Sequence, residues 1–360
     1  MRVLILNLRD VKNPNAGGAE IFTHEVAKRW SIAGNEVTLL TAGFEDAKKR
    51  ENIDGVEVIR LGNTFSVYWL AKKYYKKHLE GKYGIVIDEY TYRPFITPEF
   101  VKEPIVFLVH ELAREKYFYE LPPPLSHICC YILEPKWLKN YVDVPTITVS
   151  NSTKQDLLEI GFKKIYIVPE GINFKPLDEI PEKEKEPTLL FIGLLKKANL
   201  ADHAIEAFRF IKKELPTAKL WIVGRGAQFE KLKKAAKHLS VTFFGYVNEE
   251  KKLELMSKAH VILVPAVREG WGLVVTEANA CGTPAIGYNV HGLRDSIRDK
   301  ETGLLTENNP DALAEAIITF FKDEKLRQKL TENALEWSKS FSWDRTAKEF
   351  MKVIEGVINE

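Results

Sequence analysis

Short β-branched apolar runs, separated by longer stretches with helical spacing, set the reading of this chain. Arg2 to Asn7, Glu36 to Thr41, Val56 to Leu61, Ile85 to Asp88, Ile105 to Val109, Thr146 to Ser150 and Ile165 to Pro169 read as strands. After the first of them, Phe22, Val26 and Trp30 recur at every fourth position and give a helix one apolar face. Strands that alternate with helices imply a parallel sheet with right-handed crossovers, so residues 1–180 predict one Rossmann-like domain. The pattern stops at Pro181 to Pro187, PEKEKEP, a charged run bounded by prolines that reads as an interdomain linker. It restarts with Thr188 to Gly193, Lys219 to Gly224, Val241 to Gly245, His260 to Val264 and Pro284 to Gly287, which predict a second Rossmann-like domain over 188–340. The last segment, within 341–360, has helical spacing at Phe350, Val353 and Val357. The fold class is therefore α/β, and the lack of any fixed-period repeat argues against a solenoid.

Composition narrows the function. At 360 residues the chain suits two domains that each bury a core. With 52 Lys and Arg against 50 Asp and Glu, a net charge of +2 gives no electrostatic footprint for nucleic acid. The three cysteines, Cys129, Cys130 and Cys281, form no disulfide framework and fit a reducing compartment. The apolar run Val3 to Leu8, interrupted at Asn7, is too short for a signal peptide or a membrane span, so a cytoplasmic protein is expected. A charged fraction of 28% with glutamine only at Gln155, Gln228 and Gln328 leans towards a thermophilic source. No Asp-x-Asp occurs, and no Cys/His spacing suggests zinc, so a metal-independent site without a cofactor is expected.

Ligands of open parallel sheets gather at the carboxyl ends of strands, where helix N-termini present free N–H groups and a positive dipole end. One such place is Arg268 to Gly287, REGWGLVVTEANACGTPAIG, which follows the buried run Val261 to Val264 and its stop at Pro265. Glu269 precedes the helix there and Glu277 lies inside it, two carboxylates suited to gripping sugar hydroxyls beside a phosphate. A solvated role for Glu277 conflicts with its apolar neighbours Val274, Val275, Ala278 and Ala280. Gly17 and Gly18 open the first helix and either admit a ligand phosphate or sugar to the backbone or form a tight turn. His110 ends the strand IVFLVH at the same kind of edge, as a structural histidine or as one that meets a ligand.

The run E-G-x-G-L-x-x-x-E-A followed by G-T-P resembles the donor-site signature of the retaining family-4 glycosyltransferases, which have the two-domain GT-B fold. DEYTYRPFITPEF, VHELAREKYF, VSNSTKQDL and VPEGIN resemble that family's first-domain pattern in the family's order. The resemblance implies two Rossmann-like domains facing across a cleft, with the C-terminal helix crossing back to the first. It implies sugar transfer from a nucleotide-sugar donor to an acceptor hydroxyl, with retention of configuration. On it, His110 would face the donor sugar, Gly17 and Gly18 would lie beneath the diphosphate or acceptor, and Glu269 would bind sugar hydroxyls. Backbone N–H groups of Trp271, Gly272, Leu273 and Val274 would meet the phosphates, Glu277 would take the ribose, and Gly245, Tyr246 and Val247 would hold the base, largely by backbone groups. Arg225 belongs to the loop VGRG, which resembles the family's loop after its second strand.

One departure stands out. Where the family has Gly-Arg-Leu and, a few positions on, Lys-Gly, the ungapped reading puts Leu194 at the arginine, Asn199 at the lysine and Leu200 at the glycine. Lys196, Lys197, Arg225 and Arg268 are the candidates to neutralise the diphosphate instead, each being either that or a solvated surface charge. Two rivals follow: a nucleotide-sugar-binding partner or regulatory subunit without catalysis, and a nucleotide-sugar epimerase on the same fold. The acceptor is a sugar, a small molecule or a lipid-linked group. Phe65 to Lys77, FSVYWLAKKYYKK, and Tyr117 to Pro124, YFYELPPP, mark either a peripheral membrane contact or aromatic faces packed on the core with lysines reaching water.

Overall fold

The computed structural model describes residues 1–359. It comprises two compact units. The first holds Met1–Tyr117, Pro123–Gly171 and the segment from Ser342; the second holds Phe118–Pro122 and Ile172–Phe341.

The first unit carries eight strands: β1 (Arg2–Leu6), β2 (Glu36–Ala42), β3 (Arg50–Ile53), β4 (Val56–Leu61), β5 (Ile85–Tyr90), β6 (Ile105–Val109), β7 (Thr146–Thr148) and β8 (Ile165–Ile167). Their spatial order is β3-β4-β2-β1-β5-β6-β7-β8, parallel except for the β3–β4 pair. The expected strands form within a few residues of their predicted ends. β3, with the sequence RENI, escapes the periodicity because an exposed edge strand needs no apolar face. The helix Gly18–Ile32 follows β1 and buries Phe22, Val26 and Trp30 as its spacing predicts. The helix Trp343–Asn359 packs in this unit too. Trp343 and Phe350 stand edge-on and tilted against Phe22, and the Trp30 indole N–H donates to the Ala347 carbonyl at 3.0 Å.

The second unit adds β9 (Thr188–Ile192), β10 (Lys219–Val223), β11 (Val241–Gly245), β12 (Val261–Val264), β13 (Ala285–Tyr288) and β14 (Gly303–Thr306). Their order is β11-β10-β9-β12-β13-β14, all parallel. β12 and β13 are buried along their whole length, as strands covered by helices on both faces must be. Two parallel-sheet α/β units of this kind are the GT-B architecture.

The units divide at Gly171 and Ile172, ahead of the charged run Pro181–Pro187 expected to be the linker. That run belongs to the second unit. Lys183 Nζ donates to the Ser257 carbonyl at 2.9 Å and to Thr283 Oγ1 at 2.7 Å, and the Glu184 N–H donates to the Lys258 carbonyl at 3.0 Å. The division falls in the irregular stretch VPEGINFKP, which is anchored on both sides. A Cβ on Gly171 would lie 2.4 Å from the Trp343 nitrogen, and Ile172 is buried. Among the described residues no helix is long and apolar enough to cross a membrane.

Candidate active site

In both sheets the strand order reverses once, beside β1 in the first and beside β9 in the second. At such a point the loops leaving two neighbouring strands diverge to opposite faces and open a crevice above their carboxyl ends.

In the first unit the reversal brings together β5, β6 and the start of the helix Gly18–Ile32. β5 carries two acids inside a fully buried strand, and their surroundings differ. Asp88 is structural: its carboxylate accepts from the Phe95 N–H at 3.1 Å, from the Thr97 N–H at 3.1 Å and hydroxyl at 2.7 Å, and from the Tyr141 hydroxyl. Glu89 points at His110. Its Oε1 is 3.3 Å from His110 Nε2 and has no hydrogen-bond donor, while Oε2 accepts from Thr23 Oγ1 at 2.6 Å. On the other side of the ring, Glu170 Oε1 lies 3.8 Å from Nδ1. Both contacts have ion-pair distances without hydrogen-bond alignment, so each imidazole nitrogen is buried and lacks a hydrogen-bond partner. Burial alone would favour the neutral ring, but Glu170 and Glu89 outweigh it and raise His110 from about 6.5 to about 10. Burial pushes both carboxyls the other way, above the usual carboxylate range. The Phe22 ring closes the edge of the imidazole, with centroids 4.9 Å apart.

Gly17 sits at the N-cap of the same helix, in extended backbone, and Gly18 begins the first turn. The Gly17 N–H donates to Glu20 Oε2 at 2.7 Å, and Glu20 Oε1 lies 3.3 Å from Arg9. A side chain of the helix itself thus takes this N–H.

In the second unit the loops after β9 and β12 flank the reversal. They are tied together by the Val267 N–H, which donates to the Ala198 carbonyl at 3.0 Å. The β9 loop is also fastened to the β10 loop: Leu195 N–H donates to Arg225 O at 2.9 Å, and Gln228 N–H to Leu195 O at 3.0 Å. Leu200 adopts left-handed backbone, φ 48°, at the position the ungapped reading assigns to the family's glycine. Asn199, at the position of its lysine, donates from Nδ2 to the Leu194 carbonyl at 2.8 Å. The loop therefore keeps a glycine-like shape while its amide side chain closes the turn.

The β12 loop ends at Gly272, φ 91°, which caps the helix Leu273–Ala280. Glu269 N–H donates to the His291 carbonyl at 3.1 Å, and a Cβ on Gly292 would lie 2.1 Å from the Glu269 carbonyl oxygen. Glu269 is thus held by its backbone from the loop after β13. Trp271 turns its indole inward against Phe341 and Trp337, with centroids 5.5 and 6.4 Å away. Glu277 is buried and pairs with Lys252 Nζ at 3.0 Å. Burial would lower the Lys252 ammonium, but Glu277 and Glu249 raise it instead.

The candidate cations separate. Arg268 is buried, at 2% exposure. The Arg225 guanidinium stands 4.9 Å from the centre of the Tyr246 ring, which joins the ends of β10 and β11. Val247, next along, packs partly buried on the second core. Lys196 and Lys197 line one pocket of about 220 Å³ with Lys231, His203 and Gln228. Sequence reasoning missed Thr23, Glu89, Glu170, Lys252 and Lys231. Glu89 carried a signal as an acid within an apolar strand, and Glu170 lay in VPEGIN, a stretch that resembles the family's pattern.

Residues 16–175 match the family model "Glycosyltransferase Family 4" and residues 175–337 match "Glycosyl transferases group 1". The chain is 28% identical to an uncharacterized glycosyltransferase of Methanocaldococcus jannaschii, over 94% of each protein. It is 24% identical to the N-acetyl-alpha-D-glucosaminyl L-malate synthase of Bacillus anthracis, over 90% of this chain and 89% of the other. Among solved structures, sucrose-phosphate synthase from Thermosynechococcus elongatus superposes with a TM-score of 0.82 over 99% of both chains at 20% identity. Anabaena HepE in complex with UDP-glucose gives 0.75 over 99% of this chain and 100% of the other at 15% identity. Successive parts of this chain match the two families, and the chain carries the two domains of a family-4 type glycosyltransferase on the GT-B fold.

Proposed function

We propose that this protein moves a hexosyl group from a nucleotide-sugar donor to an acceptor hydroxyl, with retention of configuration and without a metal. The observation that carries this reading is the switch point of the second unit, where Glu269, the helix led by Gly272 and the fastened β9 loop converge. The helix N-terminus would face the departing diphosphate, Glu269 the sugar hydroxyls, and Glu277, oriented by Lys252, the ribose. Tyr246, with Arg225 over its ring, would flank the base. His110 would turn Nδ1 to a sugar hydroxyl, since its contact with Glu170 is the longer of the two. The bond from the anomeric carbon to the phosphate oxygen breaks as the acceptor oxygen bonds to that carbon on the same face. The acceptor proton passes to the phosphate oxygen. Lys196 and Lys197, on the β9 loop, are the cations we assign to the diphosphate, with Arg225 next in line and Arg268 disfavoured by burial. The complex of HepE with UDP-glucose and the transfer activities in the relatives' names support a nucleotide-sugar donor.

Calorimetric titration against a panel of nucleotide sugars tests the site. One donor should bind, and Glu277→Ala should weaken it about tenfold or more, the loss of a charged hydrogen bond. NMR of the product then reads the anomeric configuration. A non-catalytic binder has one observation in its favour: the Asn199 amide is spent on the Leu194 carbonyl. Donor binding with no turnover against sugar, small-molecule or lipid-linked acceptors would select that reading.

A further inference from the structure

The first unit exposes large apolar side chains on two helical segments. The helix Val67–Tyr74 runs on through a π-helical stretch, Tyr75–Leu79. Val67, Ala71, Tyr75 and Leu79 face the core, while Phe65 just before the helix is 89% exposed and Trp69 is 64% exposed. From Phe65 to Leu79 there are four lysines, Lys72, Lys73, Lys76 and Lys77, and no acid. Lys72 is drawn towards Glu99 at 3.5 Å and lies 5.4 Å from the Phe100 ring centre. Lys73 stands 5.3 Å from the centre of the Trp69 ring.

The second segment runs from Leu125 through Leu133. Ser126 and Cys129 turn inward, and Leu125, Ile128, Tyr131 and Ile132 turn out, with Tyr131 67% and Ile132 59% exposed. The next acid, Glu134, is buried and accepts from the Ala113 N–H at 2.7 Å. Arg93 ties the two segments to one region. Its guanidinium is 4.7 Å from the Tyr68 ring centre and 5.5 Å from that of Trp137, in the helix that continues the second segment.

We propose that these two segments together form a docking surface for an anionic lipid membrane. An apolar face built of aromatic and aliphatic side chains, edged by lysines on a stretch that itself carries no acid, with the neighbouring Glu99 drawn to Lys72, matches the boundary between headgroups and acyl chains. The sign of the charge selects this occupant over a second copy of the chain, because two such surfaces would bring their lysines face to face.

The full chain is floated with vesicles of phosphatidylcholine, with and without phosphatidylglycerol, at low and high salt. Binding is expected only with phosphatidylglycerol and should weaken with salt. Lys73→Gln and Lys77→Gln should each weaken it about fivefold. Phe65→Ser with Trp69→Ser, or Tyr131→Ser with Ile132→Ser, should weaken it roughly tenfold or more, with unchanged thermal melts because these side chains are exposed. The lysine variants keep the test open if an apolar pair fails to fold. Absence of binding to phosphatidylglycerol vesicles at low salt overturns the proposal, as does binding that none of the variants weakens. A dimer in light scattering that the Trp69 variant dissociates overturns it too, since a second copy would then cover the face.

Discussion

A single histidine in this protein is held between two carboxylates that burial would rather protonate. Its charge depends on both of them, so the pH at which the ring loses its proton is set by Glu89 and Glu170. Raised folded-state values add stability that is complete below the unfolded value and is lost as pH rises. For His110 that loss runs from about 6.5 to about 10. Glu89 and Glu170 are raised as well and act in the same direction. The first unit should therefore weaken towards alkaline pH. Glu89→Gln removes one carboxylate and should move the alkaline limb of the pH–rate profile down by about 1–3 pH units. A limb that stays in place would show that the charge on His110 is not used. How Glu269, by contrast, is held reads poorly from sequence, because backbone groups far along the chain hold it.

At the scale of elements, the site of the second unit is made of loops that hold one another. The β12 loop leans on Gly292, whose φ of 79° and close approach to the Glu269 carbonyl leave no room for a side chain. Gly292→Ala should shift the Glu269 loop and destabilise the protein by about 1–2 kcal/mol from backbone handedness alone, before the clash is counted. Donor affinity should fall more steeply than the melting temperature. Titration and a thermal melt on the same preparation separate the two effects. The strands of this unit were legible because buried parallel strands leave continuous apolar runs, as in VILV. β14 was not. Its four residues, GLLT, follow a turn and carry too little pattern to stand out. The β9 loop was legible in part: its departure from the family shows in Leu194 and Asn199. Only the tertiary structure shows that Leu200 keeps left-handed backbone and that Asn199 closes the turn.

At the scale of the whole molecule, the helix Trp343–Asn359 completes the first unit although it follows the second in sequence. Phe350 is buried at 2% exposure against Phe22 and Trp30. Phe350→Ala should cost about 3–5 kcal/mol by leaving a cavity. In urea the loss should appear in the transition of the first unit, with that of the second unchanged, and equal losses in both would show that the helix stabilises the molecule as one body.

The sequence by itself determined the alternation of strands and helices, the two parallel sheets, the buried faces and the family, because these follow from local periodicity and from motifs a few residues long. Tertiary structure alone decided which of two loop-like stretches divides the units, since Gly171 packs on Trp343 and Ile172 is buried while the charged run Pro181–Pro187 is tied into the second unit. It also decided the partners of the site residues. Glu89 meets His110 from a neighbouring strand, Glu170 meets it from a loop sixty positions on, and Lys252 reaches Glu277 from another helix. Such charges are brought together by sheet order, which periodicity does not encode.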